Sequence, residues 1–221
     1  MDLISVHVPR CAGTALRGAL VRAYREDRVY FDYGDRLLDP TSRINVDREG
    51  YLRQCAAARD SALRGKRVAH GHFCMRKYDG ISAARVTILR DPVDRLISHY
   101  FFWKHYPRHG HHLHDRFLEE EPTIIEFARM PGLRYFYAQV IFRDVDMRMF
   151  DLIGRMEALG KSIASVEKLI GRRLRMERKN GCCGCEYERR REETLGTAHV
   201  AAELRDLLKD DIAFYDRHAS G

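Results

Sequence analysis

The sequence predicts an α/β protein of three layers, a central parallel sheet of about four to five strands flanked by helices. Three observations predict it. Short β-branched runs bounded by turn residues alternate with longer stretches of helical periodicity, the pattern of parallel strands joined by crossover helices. Two strand–helix junctions, after Val8 and after Leu89, share one make-up: an apolar strand, a turn carrying an Arg, then a helix. The length of 221 residues, 45% of them hydrophobic, gives ample material for one core, read as a single domain over 1–221.

In order, Ile4, Val6 and Val8, bounded by Pro9, make a short buried strand, after which Leu16, Leu20, Val21 and Tyr24 recur at helical spacing. Residues 25–65 are charged and irregular, with Tyr30–Tyr33 a short strand and Gly50–Leu63 a helix. Val68–Phe73 is a second strand ending in His70-Gly-His72, and Val86–Leu89 a third, stopped by Arg90-Asp-Pro92. Pro92 suits a first helical turn, and Val93, Leu96, Ile97, Tyr100 and Phe101 follow helical spacing to Lys104. From His105 to Glu121 the periodicity breaks, predicting a loop that holds five of the eleven histidines. With no acidic or cysteine residue within Tyr106–His114, where four of those histidines lie, it reads as a solvated, weakly basic loop facing an acceptor and not as a metal site. Helices are expected at Thr123–Met130 and Leu133–Phe142, a fourth strand at Phe150–Gly154, and a helix over 157–170 with Leu159, Ile163, Val166 and Leu169 on one face. A basic, glycine- and cysteine-rich stretch, 172–191, leads into a last helix over 197–218.

Thirty-nine basic against thirty-two acidic side chains leave a net +7, which favours acidic partners: a nucleotide, an anionic substrate or nucleic acid. No apolar run approaches the roughly eighteen residues of a membrane span, and Met1 leads straight into the first strand, so a cytoplasmic chain is expected. The six scattered cysteines read as reduced thiols. Cys182 and Cys185 form one C-x-x-C, but no second pair completes a four-ligand zinc site.

The opening stretch, Leu3-Ile-Ser-Val-His-Val-Pro-Arg-Cys-Ala-Gly-Thr-Ala-Leu16, carries the chemistry. A strand feeding a glycine-bearing turn and then a helix points backbone N–H groups and the positive end of the helix dipole at one spot, where a phosphate is stabilised. Arg10 adds a fixed positive charge and Thr14 a hydroxyl.

Together with Val86-Thr-Ile-Leu-Arg-Asp-Pro-Val-Asp-Arg-Leu-Ile-Ser-His-Tyr-Phe-Phe102, this stretch resembles the sulfotransferases that use 3′-phosphoadenosine 5′-phosphosulfate. Residues Arg10, Cys11, Ala12, Gly13, Thr14 and Ala15 match that family's 5′-phosphosulfate loop. Arg90, closing a strand, and Ser98, two helical turns on, match the pair that holds the 3′-phosphate. The resemblance is tightest to the uronyl 2-O-sulfotransferase branch, which carries a His-Gly-His before the 3′-phosphate segment, as in His70-Gly-His72 here. It covers roughly 3–20 and 68–104 well and is thin after 145, resting there on Asp151–Glu157 and Asp211–Tyr215.

That resemblance implies a P-loop-like fold and an in-line sulfuryl transfer, with 3′-phosphoadenosine 5′-phosphosulfate as donor and adenosine 3′,5′-bisphosphate as product. It further implies an acceptor hydroxyl on a carbohydrate, in particular an anionic saccharide, with no metal and no nucleic acid. His72 is then the base, His70 its assistant, and Arg10 the cation at the leaving oxygen. Two positions depart from the family's pattern: its loop Lys is Arg10, a planar fork in place of a point charge, and its second loop hydroxyl is absent at Ala15. Two other readings compete. A nucleoside-triphosphate kinase needs Gly-x-x-x-x-Gly-Lys-(Ser/Thr); Gly160-Lys-Ser162 is read as lacking the upstream strand and has no glycine five residues earlier. A basic polyanion-binding module without catalysis would explain the charge and the Arg-rich 172–191 stretch.

Overall fold

The computed structural model describes residues 1–108, 110–177 and 183–219, with backbone alone at 183–185. Five strands, β1 Leu3–Val6, β2 Val29–Asp32, β3 Val68–Gly71, β4 Ala84–Leu89 and β5 Leu152–Arg155, form one sheet in the order β2-β3-β1-β4-β5. All four pairings are parallel, as the buried, β-branched character of these segments requires.

Alternation along the strands sends successive side chains to opposite faces and so builds a core on each. Leu3, Val68, Val86 and Ile88 pack against Leu16 and Leu20 of helix α1 (Gly13–Tyr24). Ile4, Val6, Ala69 and Leu89 pack on the other face. On the side of Leu3 lies also the helix after β5, which brings Ile163 and Val166. The chain moves one way along the sheet from β1 to β2 and the opposite way from β4 to β5. Right-handed crossovers therefore place the helices that follow β1 and β4 on opposite faces. The crevice between the carboxyl ends of β1 and β4 is the switch point where such sheets bind ligands.

The other helices are α2 (Arg43–Val46), α3 (Arg48–Ala62), α4 (Pro92–His105), α5 (His112–Glu120), α6 (Ile124–Arg129), α7 (Pro131–Arg134), α8 (Leu159–Ile170), α9 (Cys183–Gly196), α10 (Ala198–Leu207) and α11 (Lys209–His218). Caps set several of their starts. Asp91 accepts the N–H of Asp94 at 2.9 Å with Pro92 in the first turn of α4, and Thr123 and Glu126 form a reciprocal capping box on α6. Among the described residues no helix is long and apolar enough to cross a membrane.

Four expectations need correction. The histidine-rich 105–121 loop is largely helix: His105 ends α4, and α5 starts at His112. His114 is fully buried, with Nε2 2.9 Å from the Trp103 carbonyl, so its signal is core packing and not solvation. His109 lies outside the described residues. The helix expected at Leu133–Phe142 is split into α7 and a π-helical turn, Phe136–Ile141, whose first N–H groups need an acceptor. Asp211, 74 residues on in sequence, supplies it, taking the Tyr137 N–H at 3.0 Å. The final helix is two, broken at Leu208. The 172–191 stretch is helical from Cys183 onward; Cys182, and with it the C-x-x-C, falls outside the described residues.

Candidate active site

The turn after β1 is tightly wound. Arg10 and Ala12 both adopt left-handed backbone, φ 70° and 60°, conformations that cost a non-glycine residue about 1–2 kcal/mol each. Alternating residues of this kind turn successive N–H groups toward one concavity. Helix α1 then begins with no side-chain cap at Ala12 and no acidic residue in its first turn. Its leading N–H groups, at Gly13, Thr14 and Ala15, therefore face the cleft rather than a carboxylate.

A cleft of about 740 Å³ opens here, lined on one side by Arg10, Ala12, Gly13, Thr14, Ala15, Arg90 and Ser98. Its other side is apolar: Met156, Leu159, Ile163, Leu174 and Met176, with Glu177 at the rim. Seven of the eight positions expected to hold a nucleotide thus share one cavity. Cys11 does not line it; its thiol is buried under the turn, where desolvation pushes it up to about 12 and keeps it neutral.

Arg10 reaches across to α4. Its Nε donates to the Ser98 hydroxyl at 3.0 Å, and its guanidinium lies 4.5 Å from the centre of the Phe102 ring. Arg90 is held from two sides. Its backbone meets the Tyr137 hydroxyl, which donates to the Arg90 carbonyl at 2.5 Å, while its Nη2 donates to the Tyr187 hydroxyl at 2.6 Å. Tyr187 in turn donates to the Asp94 carbonyl, and Arg191 pairs with Asp94 at 2.6 Å, so α9 is strapped over the start of α4. Beneath lies Arg95, fully buried, its guanidinium 3.9 Å from the Phe136 ring centre, with Asp211 as the nearby opposite charge.

The histidines meet at the ends of β1 and β3. Register pairs Ser5 with His70, and the Ser5 hydroxyl lies 3.0 Å from His70 Nδ1. His70 is fully buried, and desolvation pulls it down to about 3. His72 Nδ1 lies 2.5 Å from the His7 carbonyl. A carbonyl only accepts, so Nδ1 carries the proton and Nε2 is left as the basic nitrogen. Burial also lowers His72 below its ordinary value of 6.5, keeping it neutral near pH 7. Neither His70 nor His72 lines the cleft described above; His7 does, and its ring stands 5.3 Å from His70 and 4.2 Å from His72. Among the described residues no three His, Cys, Asp or Glu side chains converge as metal ligands.

Sequence reasoning missed His7, Tyr187, Tyr137 and Arg95. His7 carried a signal, a polar residue inside an apolar strand just before the turn; the two tyrosines act through tertiary contacts about 50 to 100 residues away in sequence that no local pattern reveals. Gly160-Lys-Ser162 also reads differently in three dimensions, because β5 does precede it. Its serine is nonetheless spent: the hydroxyl accepts the Arg155 N–H and donates to the Arg155 carbonyl, both at 2.9 Å.

A sequence profile of the sulfotransferase family matches residues 1–215. Among solved structures, a sulfotransferase from Alicyclobacillus acidocaldarius matches at TM-score 0.41 with 18% identity, covering 94% of this chain and 95% of that one. No curated protein sequence matches.

Proposed function

We propose a function from the premise that this chain belongs to the sulfotransferase family: it moves a sulfuryl group from 3′-phosphoadenosine 5′-phosphosulfate to the hydroxyl of a carbohydrate, with His72 as base. The observation that carries the reading is the Arg10–Ser98 contact at 3.0 Å, which joins the two phosphate motifs inside one cavity. The fit of that cavity supports the donor. Uncapped N–H groups and Arg10 suit a 5′-phosphosulfate, Arg90 and Ser98 a 3′-phosphate, and the apolar wall from Met156 to Met176 a purine.

When bound, the donor supplies the sulfuryl group, whose bond to the 5′-phosphate oxygen breaks as its bond to the acceptor oxygen forms. The chain's work is alignment and charge stabilisation. Arg10 and the Gly13–Ala15 N–H groups hold the negative charge left on the phosphate oxygen. His72 Nε2 takes the acceptor's proton, a service worth about 10²–10⁴-fold. His70, anchored on Ser5, supports the His72 loop from below. Ala15 leaves one hydrogen bond to the phosphate unmade, about 1.5–3 kcal/mol of donor affinity for a charged partner.

An anionic saccharide as acceptor accords with the net +7 and with the likeness of His70-Gly-His72 to the uronyl branch. The test is incubation with the donor and a panel of saccharide, lipid, phenol and tyrosyl-peptide acceptors, read by mass spectrometry. A gain of one sulfuryl mass on the anionic saccharides supports the full reading. A gain on another class keeps the transfer and removes the acceptor; no gain on any, with the donor bound, removes the transfer.

A further inference from the structure

His7 has no part in the scheme above, yet it lies between the two groups that scheme uses. On one side its ring is pressed against the turn. A Cβ built on Gly13 would come within 1.6 Å of His7 Cδ2 and 1.8 Å of Nε2, so only glycine lets the Cδ2–Nε2 edge lie against the first residue of α1. On the other side the ring centre is 4.2 Å from that of His72, and the His7 carbonyl takes the His72 Nδ1 proton. The Tyr33 hydroxyl stands 3.4 Å from His7 Nδ1 and meets the ring edge-on.

In-line transfer demands the order leaving phosphate, sulfuryl group, acceptor oxygen, base. With the phosphate on the α1 turn and the base at His72, a residue wedged between them faces the group in flight. We propose that His7 binds the sulfuryl end of the donor, its Nδ1 accepting from the Tyr33 hydroxyl and its Nε2–H donating to a sulfuryl oxygen. The inference rests on the sulfuryl-transfer reading and deepens it. No proton is exchanged: the hydrogen bond from His7 persists while the S–O bond to phosphate breaks, the S–O bond to the acceptor forms, and the acceptor's proton passes to His72. Burial together with the neighbouring His72, His70, Arg10 and Arg17 holds His7 far below its ordinary value. A neutral imidazole fixed as a donor is the outcome, a role imidazole fills at other electrophilic sites.

The test compares two ligands by calorimetry: adenosine 3′,5′-bisphosphate, which has no sulfuryl group, and a non-transferable donor analogue with a methylene in place of the bridging oxygen. His7→Phe keeps the ring and removes the donor; His7→Gln keeps an N–H near the position of Nε2. Loss of one hydrogen bond to a charged group predicts analogue binding about ten- to a hundredfold weaker in His7→Phe, unchanged bisphosphate binding, and substantial recovery in His7→Gln. Equal weakening of both ligands in His7→Phe would overturn the proposal and make His7 a support of the turn, as would undiminished analogue affinity. Failure of the unaltered protein to bind the bisphosphate would instead overturn the donor assignment itself.

Discussion

Arg10 and Ser98, 88 residues apart in sequence, touch through an Nε–Oγ hydrogen bond of 3.0 Å. The contact draws the turn after β1 onto α4, so that the two strand–helix junctions share one wall of the cleft. Arg10 sits in left-handed backbone and stacks over Phe102 while doing so, so its guanidinium is fixed in place before any ligand arrives. Preorganised charge of this sort favours a developing oxyanion more than a ground state.

Arg10→Ala is therefore expected to lower kcat by about 10²–10³-fold while weakening adenosine 3′,5′-bisphosphate by less than tenfold. Arg10→Lys, which restores the family's residue and the charge, should keep most of the activity. Steady-state kinetics and calorimetry on the same samples check both; equal losses in rate and affinity would reduce Arg10 to an anchor.

Tyr187 holds Arg90 by a 2.6 Å hydrogen bond and by its ring face, 4.7 Å from the guanidinium carbon. Tyr187→Phe retains the ring and loses the bond, and a neutral hydrogen bond is worth about 0.5–1.5 kcal/mol. Bisphosphate binding should weaken about three- to tenfold while 5′-AMP binding stays the same. A parallel loss for 5′-AMP would mean that Tyr187 supports the cleft as a whole.

Much of this was legible in the sequence. Five parallel strands follow from β-branched runs and turn residues, and the two Arg-bearing strand–helix junctions that line one cleft follow from local spacing, all of which lie within a few residues of one another. What escaped depended on distant partners. His114 reads as a solvated histidine until the Trp103 carbonyl and the Phe117 ring close around it. The π-helical turn at 136–141 depends on the Asp211 carboxylate, and the burial of Arg95 depends on the Phe136 ring that covers it.

The imidazoles of His7, His70, His72 and His99 are held below 6.5, chiefly by burial. Between each lowered value and 6.5 the unfolded chain binds a proton that the fold does not, so stability falls as pH falls through that window. Each group contributes up to about 1.4 kcal/mol per pH unit. Asp211, pushed up to about 6 by burial, acts with the opposite sign between 3.8 and 6 and offsets one of the four. The melting temperature should thus drop steeply from pH 6.5 downward, with His70 contributing to about pH 3. A flat profile between pH 7 and 5 would show that these rings are not buried as neutral groups.

Gly13→Ala drives a methyl into the His7 ring, and forced overpacking of this kind costs about 1–3 kcal/mol. The variant should melt lower and bind the bisphosphate less tightly, as the methyl pushes the turn that carries the Gly13–Ala15 N–H groups away from the packed His7 ring. Native affinity and stability together would show that the ring does not lie where it is placed here.

His72→Ala should leave bisphosphate binding and melting temperature nearly intact and lower the transfer rate by about 10²–10⁴-fold. His70→Ala, which removes a fully buried ring and its contact with Ser5, should instead lower stability. Near-native turnover in His72→Ala would remove it from the mechanism.

The cleft between β1 and β4 is proposed to read a nucleotide phosphorylated at both 3′ and 5′ positions. Calorimetric titration of the protein with adenosine 3′,5′-bisphosphate and with 5′-AMP, repeated on Arg90→Ala, tests it most directly. The bisphosphate should bind at least tenfold more tightly than 5′-AMP, and Arg90→Ala should abolish most of that preference, as loss of a charge-assisted phosphate contact requires. Equal affinity for the two nucleotides in the unaltered protein would contradict it.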